Sequence, residues 1–293
     1  MEKALIVGMG FGRAVYKPVL EELGYQVITV DLVQPADFKT VQEAIDVHKH
    51  FKTVNICTPN FTHETIAREV AEYASIVFVE KPGVKNSATW QKLVDDFPDT
   101  RFMMVKNNQY RREIKQFKQL ADQSISVQII WNNKNRIPNP GSWFTNKELA
   151  FGGVSRDLVP HMLSYYCILT DYKKGKRRYD LRDQQHTLKS ITSTDYGTID
   201  KNGVYNVDDL CEIGYNCNHT EWKIHANWKD DLGDDIYISF NLKNGAVKHS
   251  LGLCPESAYK SMIRTAVENR FNNEFWDEQL SQDIWIHRQI ENI

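Results

Sequence analysis

Three side chains able to move protons stand in two short motifs. Lys81 lies in "VEKPG", after a strand-like run, and Asp157 and His161 lie in "GGVSRDLVPHMLSYY". The four-residue spacing of Asp157 and His161 predicts that they share one helix face. Oxidation of an alcohol needs a group that removes the hydroxyl proton near neutral pH, where a histidine titrates. Taken singly, the lysine is also typical of a solvated turn, and the Asp–His pair of a structural helix contact.

A glycine-rich segment has the residues needed to hold a dinucleotide. The apolar run "KALIV" leads into "GMGFGR", where Gly8 allows a tight turn and Gly10 lets backbone N–H groups approach a pyrophosphate. Asp31 closes the next strand-like run, about 20 residues later, and can accept hydrogen bonds from ribose hydroxyls. A carboxylate repels a 2′-phosphate, so the pattern favours NAD over NADP. The alternative is a strand–helix turn whose glycines serve packing only.

Arg13 stands where a strict G-x-G-x-x-G pattern has its third glycine, and Gly12 comes one residue early. Two interpretations of the arginine are open. Its guanidinium contacts the pyrophosphate through a charge-assisted hydrogen bond, or it points to solvent from the first helical turn. We favour the contact as a hypothesis, which predicts that Arg13→Ala weakens NAD binding.

The elements that must position these residues differ between the two halves of the chain. Up to about residue 118, strand-like and helix-like runs alternate, which predicts an α/β domain with a doubly wound parallel sheet. Helix-like runs fall at 13–23, 40–49, 62–74, with Thr62 as N-cap, and 87–97, after a Ser87 cap. Later runs alternate polar and apolar residues between turns, which predicts an open-faced, mostly antiparallel sheet. A helical segment at 151–170 interrupts this sheet, and the chain is helical again from about 256 to 293. The predicted domains are residues 1–118 and 119–293.

Together with the glycine turn, the motifs "CTPNFTH" (57–63), "VEKPG" and "GGVSRDLVPH" resemble the Gfo/Idh/MocA family, named for glucose–fructose oxidoreductase and inositol dehydrogenase. The resemblance spans the chain and implies a Rossmann domain followed by an α+β domain with an open antiparallel sheet. It also implies that Lys81, Asp157 and His161 form the catalytic group beside the nicotinamide, and that the Lys81–Pro82 peptide bond is cis. The implied cofactor-binding residues are Gly8, Gly10, Phe11, Gly12, Arg13, Asp31, Thr58, Pro59, Asn60, His63, Glu80 and Lys81.

Two positions depart from the family pattern and concern the substrate. The family usually has an aspartate three residues after the motif histidine, where this chain has Ser164. It often has Asn-x-Arg after the fifth strand, where this chain has Asn108, Tyr110 and then Arg111. We expect Lys106, Asn108 or Arg111 to reach the active site, with a solvated helix start as the alternative. Trp143 ends a Pro/Asn loop that lines the substrate cleft or crosses the surface.

Composition sets limits on partners and location. The net charge of −2 gives no global preference for nucleic acid, and the basic run "KKGKRR" (173–178) is interpreted as a solvated loop. No apolar run approaches the length of a membrane span. The five scattered cysteines contain no C-x-x-C pair, which predicts no metal site and a reducing, cytoplasmic location. The resemblance implies a homodimer or homotetramer formed through the second sheet.

The sequence therefore predicts an oxidoreductase that transfers a hydride between nicotinamide and a secondary alcohol or carbonyl of a sugar, polyol or nucleotide-sugar. Lys81 or His161 moves the proton. Two alternatives remain open: a non-catalytic NAD-binding regulator of the same fold, and a reductase of a non-sugar substrate such as an imine or a tetrapyrrole.

Overall fold

A computed structural model describes residues 1–134, 137–170, 184–191, 202–217, 219–231 and 233–293. The chain divides into two compact units, one of Met1–Tyr110 with Pro255–Glu291 and the other of Arg111–Cys254 with Asn292–Ile293. Within the described residues, no helix is long and apolar enough to cross a membrane. The basic run at 173–178 lies outside these residues.

The first unit contains a five-stranded parallel sheet in the order β2-β1-β3-β4-β5. Its strands are β1 (Lys3–Val7), β2 (Gln26–Val30), β3 (Phe51–Ile56), β4 (Ala74–Val79) and β5 (Arg101–Met104). The helices between them are α1 (Met9–Ala14), α2 (Tyr16–Glu22), α3 (Val41–His48), α4 (His63–Val70) and α5 (Ser87–Asp96). The strand order reverses between β1 and β3, where doubly wound sheets bind their ligands. This arrangement confirms the predicted Rossmann sheet.

Three local predictions in this unit need correction. The helix expected at 13–23 begins inside the glycine turn at Met9 and is interrupted at Val15. Thr62 precedes α4, but its hydroxyl donates to the Pro59 carbonyl instead of capping the helix. The side chain that caps α5 is Asn86, whose Oδ1 accepts from Thr89 N, because Ser87 is already the first helical residue.

The second unit contains a six-stranded sheet in the order β11-β10-β6-β9-β8-β7. Its elements are α6 (Ile114–Gln123), β6 (Ser124–Lys134), α7 (Lys147–Ala150), α8 (Val154–Asp157), α9 (Val159–Leu169), β7 (Gln184–Ile191), β8 (Leu210–Cys217), β9 (Thr220–Asp230), β10 (Asp235–Leu242) and β11 (Gly245–Ser250). Among the strand pairs of the described residues, only β6–β9 is parallel, which confirms a mostly antiparallel sheet. On β9, Trp222, Ile224 and Ala226 are buried, and the residues between them form a polar, open face.

The predicted boundary between residues 118 and 119 differs from the observed units. The chain leaves the first unit at Tyr110, and α6 belongs to the second. Two C-terminal helices, α10 (Glu256–Glu268) and α11 (Asn273–Ile290), return to the first unit. The physical reason is a set of polar side chains on α11, described below, whose hydrogen-bond partners lie after β4 and β5.

Candidate functional site

The glycine turn after β1 is held open by close backbone contacts. Gly8 has φ +97°, and a Cβ there would lie 2.7 Å from the carbonyl carbon of Cys57. A Cβ at Gly12 would lie 2.6 Å from Ile6 Cγ2, so Gly12 gives the close helix–strand packing usually assigned to the third glycine. Gly10 is exposed, with no atom within 4 Å of an added Cβ. The turn therefore has room for a pyrophosphate at the N-terminus of α1 and fits a dinucleotide.

Asp31 joins the end of β2 to this turn. Its Oδ2 accepts from Met9 N at 2.6 Å, and its Oδ1 accepts from Val33 N and Gln34 N at 2.8 and 2.7 Å. Burial by itself raises the pKa of a carboxyl, but these three donors and Lys39 outweigh it and lower the pKa of Asp31. Asp31 is thus an anion at the position where the adenosine ribose of the dinucleotide is predicted to bind.

Arg13 and Phe11 project from the same short helix. The Arg13 guanidinium donates from Nη2 to the Pro35 carbonyl at 2.7 Å, which places it on the loop after β2. Phe11 is 46% exposed and packs edge-on against Tyr16. Pyrophosphate binding by Arg13 stays a prediction.

The loop after β3 is tied to the loop after β4 by His63. This side chain is fully buried, with Nε2 2.8 Å from the Thr58 carbonyl and Nδ1 2.7 Å from the Gly83 carbonyl. Burial lowers the pKa of His63, while the two carbonyl partners oppose that shift. The Thr58 hydroxyl is hydrogen-bonded to Thr62 at 2.6 Å, and Pro59 and Asn60 lead into α4. The ring of His63 therefore positions both loops, and dinucleotide binding by these four predicted residues stays a prediction.

Lys81 follows β4 at the same edge of the sheet as the glycine turn. It is partly exposed, and the Lys81–Pro82 peptide bond is cis. Glu80 before it is buried, and its Oε1 accepts from the Tyr16 hydroxyl at 2.7 Å. Burial and then the charge of Glu80 raise the pKa of Tyr16 well above its usual value, so the tyrosine stays a donor. A buried contact thus links the lysine's turn to α2.

Helix α11 fixes these loops from behind with residues that the sequence analysis did not identify. His287 is fully buried; its Nε2 lies 3.3 Å from Val84 N, and an added Cβ at Gly83 would lie 2.9 Å from its ring. Glu291, which follows α11, accepts from Ser87 N at 2.7 Å. The spacing of the polar residues on α11 is a sequence signal for one buried helix face, but no pattern near them identifies their partners.

A buried ion pair on the same helix corrects the expectation for Lys106. Its ammonium group pairs with Asp283, and both side chains are fully buried. Asp283 Oδ2 also accepts from Met104 N at 3.0 Å, while burial raises the pKa of this carboxyl against the effect of Lys106. Lys106 thus stabilises the end of β5 and is enclosed in the first unit's core. Asn108 is also buried, whereas Arg111 lies in the second unit and donates to the Gly252 carbonyl at 2.6 Å.

In the second unit, Asp208 holds the turn that leads to Asp157 and His161. Its carboxylate accepts from Gly153 N and Ser155 N, both at 2.7 Å, and from the Ser155 hydroxyl at 2.9 Å. Val154 N donates to the Asp208 carbonyl at 2.8 Å. A Cβ at Gly153 would lie 1.9 Å from that carbonyl oxygen, so only glycine fits. Asp208 was missed by the sequence analysis because it lies more than 50 residues away.

The single helix predicted for Asp157 and His161 is broken between them. Asp157 ends α8 and His161 lies in the first turn of α9, because Pro160 has no N–H and favours the start of a helix. Trp228 Nε1 donates to Asp157 Oδ2 at 3.2 Å, and the His161 ring stacks on Trp131 with centroids 5.7 Å apart. Two tryptophans on neighbouring strands therefore orient the two side chains.

Two predicted substrate residues also lie in this unit. Trp143 is partly exposed and packs on Phe144, which in turn packs on Trp228. Ser164 is fully buried, and its hydroxyl donates to the His161 carbonyl at 2.6 Å. Ser164 therefore supports the backbone of the predicted proton-moving residue. Lys81 shares the first unit with the predicted cofactor residues, whereas Asp157 and His161 belong to the second. Among the described residues, no group of three or more His, Cys, Asp or Glu side chains is placed to hold a metal ion.

Comparisons with known proteins add sequence and fold relationships. Residues 3–105 match the Gfo/Idh/MocA pattern, described as an oxidoreductase family with an NAD-binding Rossmann fold. A protein of Amycolatopsis mediterranei, named as a UDP-kanosamine synthase oxidoreductase subunit, is 25% identical over 183 residues. That match covers 57% of this chain and 51% of the relative, so the chain spans about half of that protein's length.

Two solved structures share the fold across nearly the whole chain. GenD2 from gentamicin A biosynthesis, solved in complex with NAD, is 17% identical with a TM-score of 0.72, covering 100% of this chain and 95% of its own. A D-galactose-1-dehydrogenase protein from Rhizobium etli is 15% identical with a TM-score of 0.74, covering 99% and 96%. At these identities the likeness is one of fold.

Proposed function

Because this chain belongs, through its N-terminal domain, to the Gfo/Idh/MocA family of NAD-binding oxidoreductases, we propose that it is an NAD-dependent dehydrogenase of a secondary alcohol. In reverse the same reaction reduces a carbonyl group. The family match confirms the predicted resemblance and the assignment of NAD as cofactor.

One feature of the first unit carries the proposal. The glycine turn, the loop after β3 and the turn that bears Lys81 lie at one edge of the sheet, and the first two meet where Gly8 packs against the Cys57 backbone. Asp31 ties the glycine turn to β2, and His63 ties the other two loops together. A turn that carries a lysine and is fixed beside a dinucleotide turn by buried contacts suits proton chemistry.

The chain's own residues would divide the work as follows. NAD, when bound, supplies the nicotinamide carbon that accepts or gives the hydride. Lys81 and His161 are the groups proposed to take the hydroxyl proton or return it to the carbonyl oxygen. Asp157, held by the Trp228 indole, is proposed to orient the substrate or to tune His161. The stacking of His161 on Trp131 limits the orientations open to its ring.

The substrate class is proposed to be a sugar, polyol or nucleotide-sugar. The support is the named activity of similar proteins, a D-galactose dehydrogenase and a UDP-kanosamine synthase subunit. Asn108, Arg111 and Trp143 are proposed substrate contacts, and Ser164 is proposed to act through the backbone of His161. The anionic Asp31 supports use of NAD over NADP, because it would repel a 2′-phosphate.

Assembly and location are further parts of the proposal. We propose a homodimer or homotetramer formed through the open face of the second sheet, where β9 presents Glu221, Lys223, His225 and Asn227. No disulfide joins the five cysteines, all of which the structure describes, and this supports a reducing, cytoplasmic location. Size-exclusion chromatography with light scattering reports the assembly directly.

A substrate panel tests the proposed activity. The wild-type protein is incubated with NAD or NADP and with sugars, polyols and nucleotide-sugars, and reduced cofactor is followed by absorbance. We expect NADH from at least one class and little NADPH. Tight NAD binding with no turnover on any alcohol would favour the non-catalytic regulator. Oxidation of NADH with an imine or tetrapyrrole alone would favour the non-sugar reductase.

A further inference from the structure

A cavity lies in the first unit at the edge of the sheet opposite the glycine turn. It has a volume of about 360 Å³ and is lined by the start of β1, the end of α3, the starts of β3 and β4, and the segment after α10. These are the amino ends of the strands, whereas the dinucleotide turn lies at their carboxyl ends. The cavity is therefore separate from the predicted cofactor site.

Basic side chains dominate its lining. Lys3, Lys52 and Arg270 carry positive charge there, and Glu2 carries negative charge. Lys52 Nζ lies 3.0 Å from the Glu2 carboxylate, so three cations face one anion, and Lys3 Nζ donates to the His48 carbonyl at 3.2 Å. Two positive charges thus remain in excess, which is the charge that balances a dianion.

The two lining histidines respond to this positive field. Burial and then Lys3 lower the pKa of His48, against the opposing carboxylate of Asp37. Burial and then Arg270 and Lys52 lower the pKa of His50. Repulsion by like charges is one of the ordinary causes of such shifts, so the cations around the cavity act on both histidines in second place after burial.

A buried hydroxyl provides independent evidence for a ligand. Ser75 lines the cavity and is 1% exposed, and among the described residues its Oγ has no hydrogen-bond partner. Buried hydroxyl groups in folded proteins are almost always hydrogen-bonded, since an unmade bond is costly. A hydroxyl can donate to an anion, which makes Ser75 a candidate neutral donor beside the cationic side chains.

We propose that this cavity binds a phosphate dianion, either inorganic phosphate or the phosphoryl group of a phosphorylated metabolite, at a site distinct from the cofactor's. Lys52 and Arg270 supply charge, and Ser75 supplies a neutral hydrogen bond. The site lies next to the amino ends of β1, β3 and β4, so its occupancy stabilises the first unit.

The test is calorimetric titration of the full chain at saturating NAD, which keeps the glycine turn filled. Inorganic phosphate and glycerol phosphate are compared on the wild type, on K52A/R270A and on S75A. We expect one saturable site whose affinity falls at least tenfold in K52A/R270A and about threefold in S75A. Lys17→Ala, which removes a surface lysine of α2, is the matched control and leaves affinity unchanged. Tighter binding of glycerol phosphate would assign the site to a phosphorylated metabolite, and equal binding to inorganic phosphate.

Thermal unfolding supplies a second readout that does not depend on measured affinity. Without phosphate, S75A melts at or above the wild-type temperature, because it removes a buried hydroxyl that lacks a partner. With phosphate, the wild type gains more than S75A, and K52A/R270A gains nothing. The proposal is overturned if binding or thermal gain is the same in wild type and K52A/R270A, or if wild type shows no saturable binding.

Discussion

Two glycine-containing turns position predicted functional residues: one holds the predicted dinucleotide, and the other leads to Asp157 and His161. They are held in place in different ways. The turn at 8–13 is fixed by Ile6 next to it, by Asp31 at the end of the next strand and by the Cys57 backbone. The turn at 152–155 is fixed by Asp208, which lies 53 residues after Ser155. The first turn is signalled by a short sequence pattern, whereas the second depends on a carboxylate that no nearby pattern indicates, so perturbations should separate them.

The largest expected effect concerns the distantly held turn. Gly153→Ala should destabilise the second unit by more than about 4 kcal/mol, because its Cβ would overlap the Asp208 carbonyl oxygen. Gly252→Ala is the matched control in the same unit, since an added Cβ there meets nothing within 4 Å and stability should hold within about 0.5 kcal/mol. Urea unfolding followed by tryptophan fluorescence measures both. Similar stability of the two variants would show that the turn can move away from Asp208.

The locally held turn should tolerate substitution at one glycine and not at another. Gly8→Ala should cost about 3 kcal/mol, from a positive φ and from contact with the Cys57 backbone. Gly10→Ala leaves the fold intact but weakens NAD binding, because its methyl group occupies the space a pyrophosphate would approach. Thermal unfolding and NAD titration distinguish the two. Equal NAD affinity of Gly10→Ala and wild type would argue against the assigned phosphate position.

Removal of the distant carboxylate should have an intermediate effect. Asp208→Ala leaves the Gly153 and Ser155 amides without their acceptor and should cost about 2 kcal/mol. Asp208→Asn retains one carbonyl oxygen and should recover about half of that loss. The free energies of unfolding of the wild type, Asp208→Ala and Asp208→Asn test this expected order. If the alanine variant matched the wild type, the turn would be held by its own glycines.

The smallest effect concerns the pH response of the loops around Lys81. His63 has a pKa below its usual value of about 6.5 in the folded state, so below pH 6.5 the unfolded chain binds a proton that the folded chain does not. Stability should therefore fall as the pH drops from 6.5 towards the folded pKa. An NMR titration of the His63 ring measures this pKa. A value above 6.5 would mean that the two carbonyl partners outweigh burial.

The same contrast explains what the sequence could predict. The glycine turn, Asp31, the parallel sheet and the turn with Lys81 could be predicted because each is signalled by a short sequence pattern. Asp208, Asp283 and His287 could not be predicted, because their partners lie 53 to 203 residues away. The helix break before Pro160 was not predicted, although the proline itself signals it, whereas the burial of Lys106 depends on α11 and has no local signal.

The return of the C-terminal helices to the first unit has the same cause. The polar residues of α11 have no partners nearby in the chain, and they find them behind the loops after β4 and β5. Composition alone does not show which sheet such a helix joins. The spacing of Asp157 and His161 predicted one shared helix face, and the structure places them on two helices, α8 and α9.

The role of Lys81 in the chemistry is tested most directly by two measurements on wild type, Lys81→Ala and Lys85→Ala. These are the NAD affinity and the rate of NADH formation with the substrate found in the panel. Lys85 is an exposed lysine four residues further along the same loop and serves as the matched control. Lys81→Ala should bind NAD within about threefold of wild type and lose at least about 100-fold in turnover, as expected for loss of a proton-transfer group. Lys85→Ala should match the wild type in both. Wild-type turnover in Lys81→Ala, with NAD bound normally, would contradict the assignment of Lys81 to the chemistry.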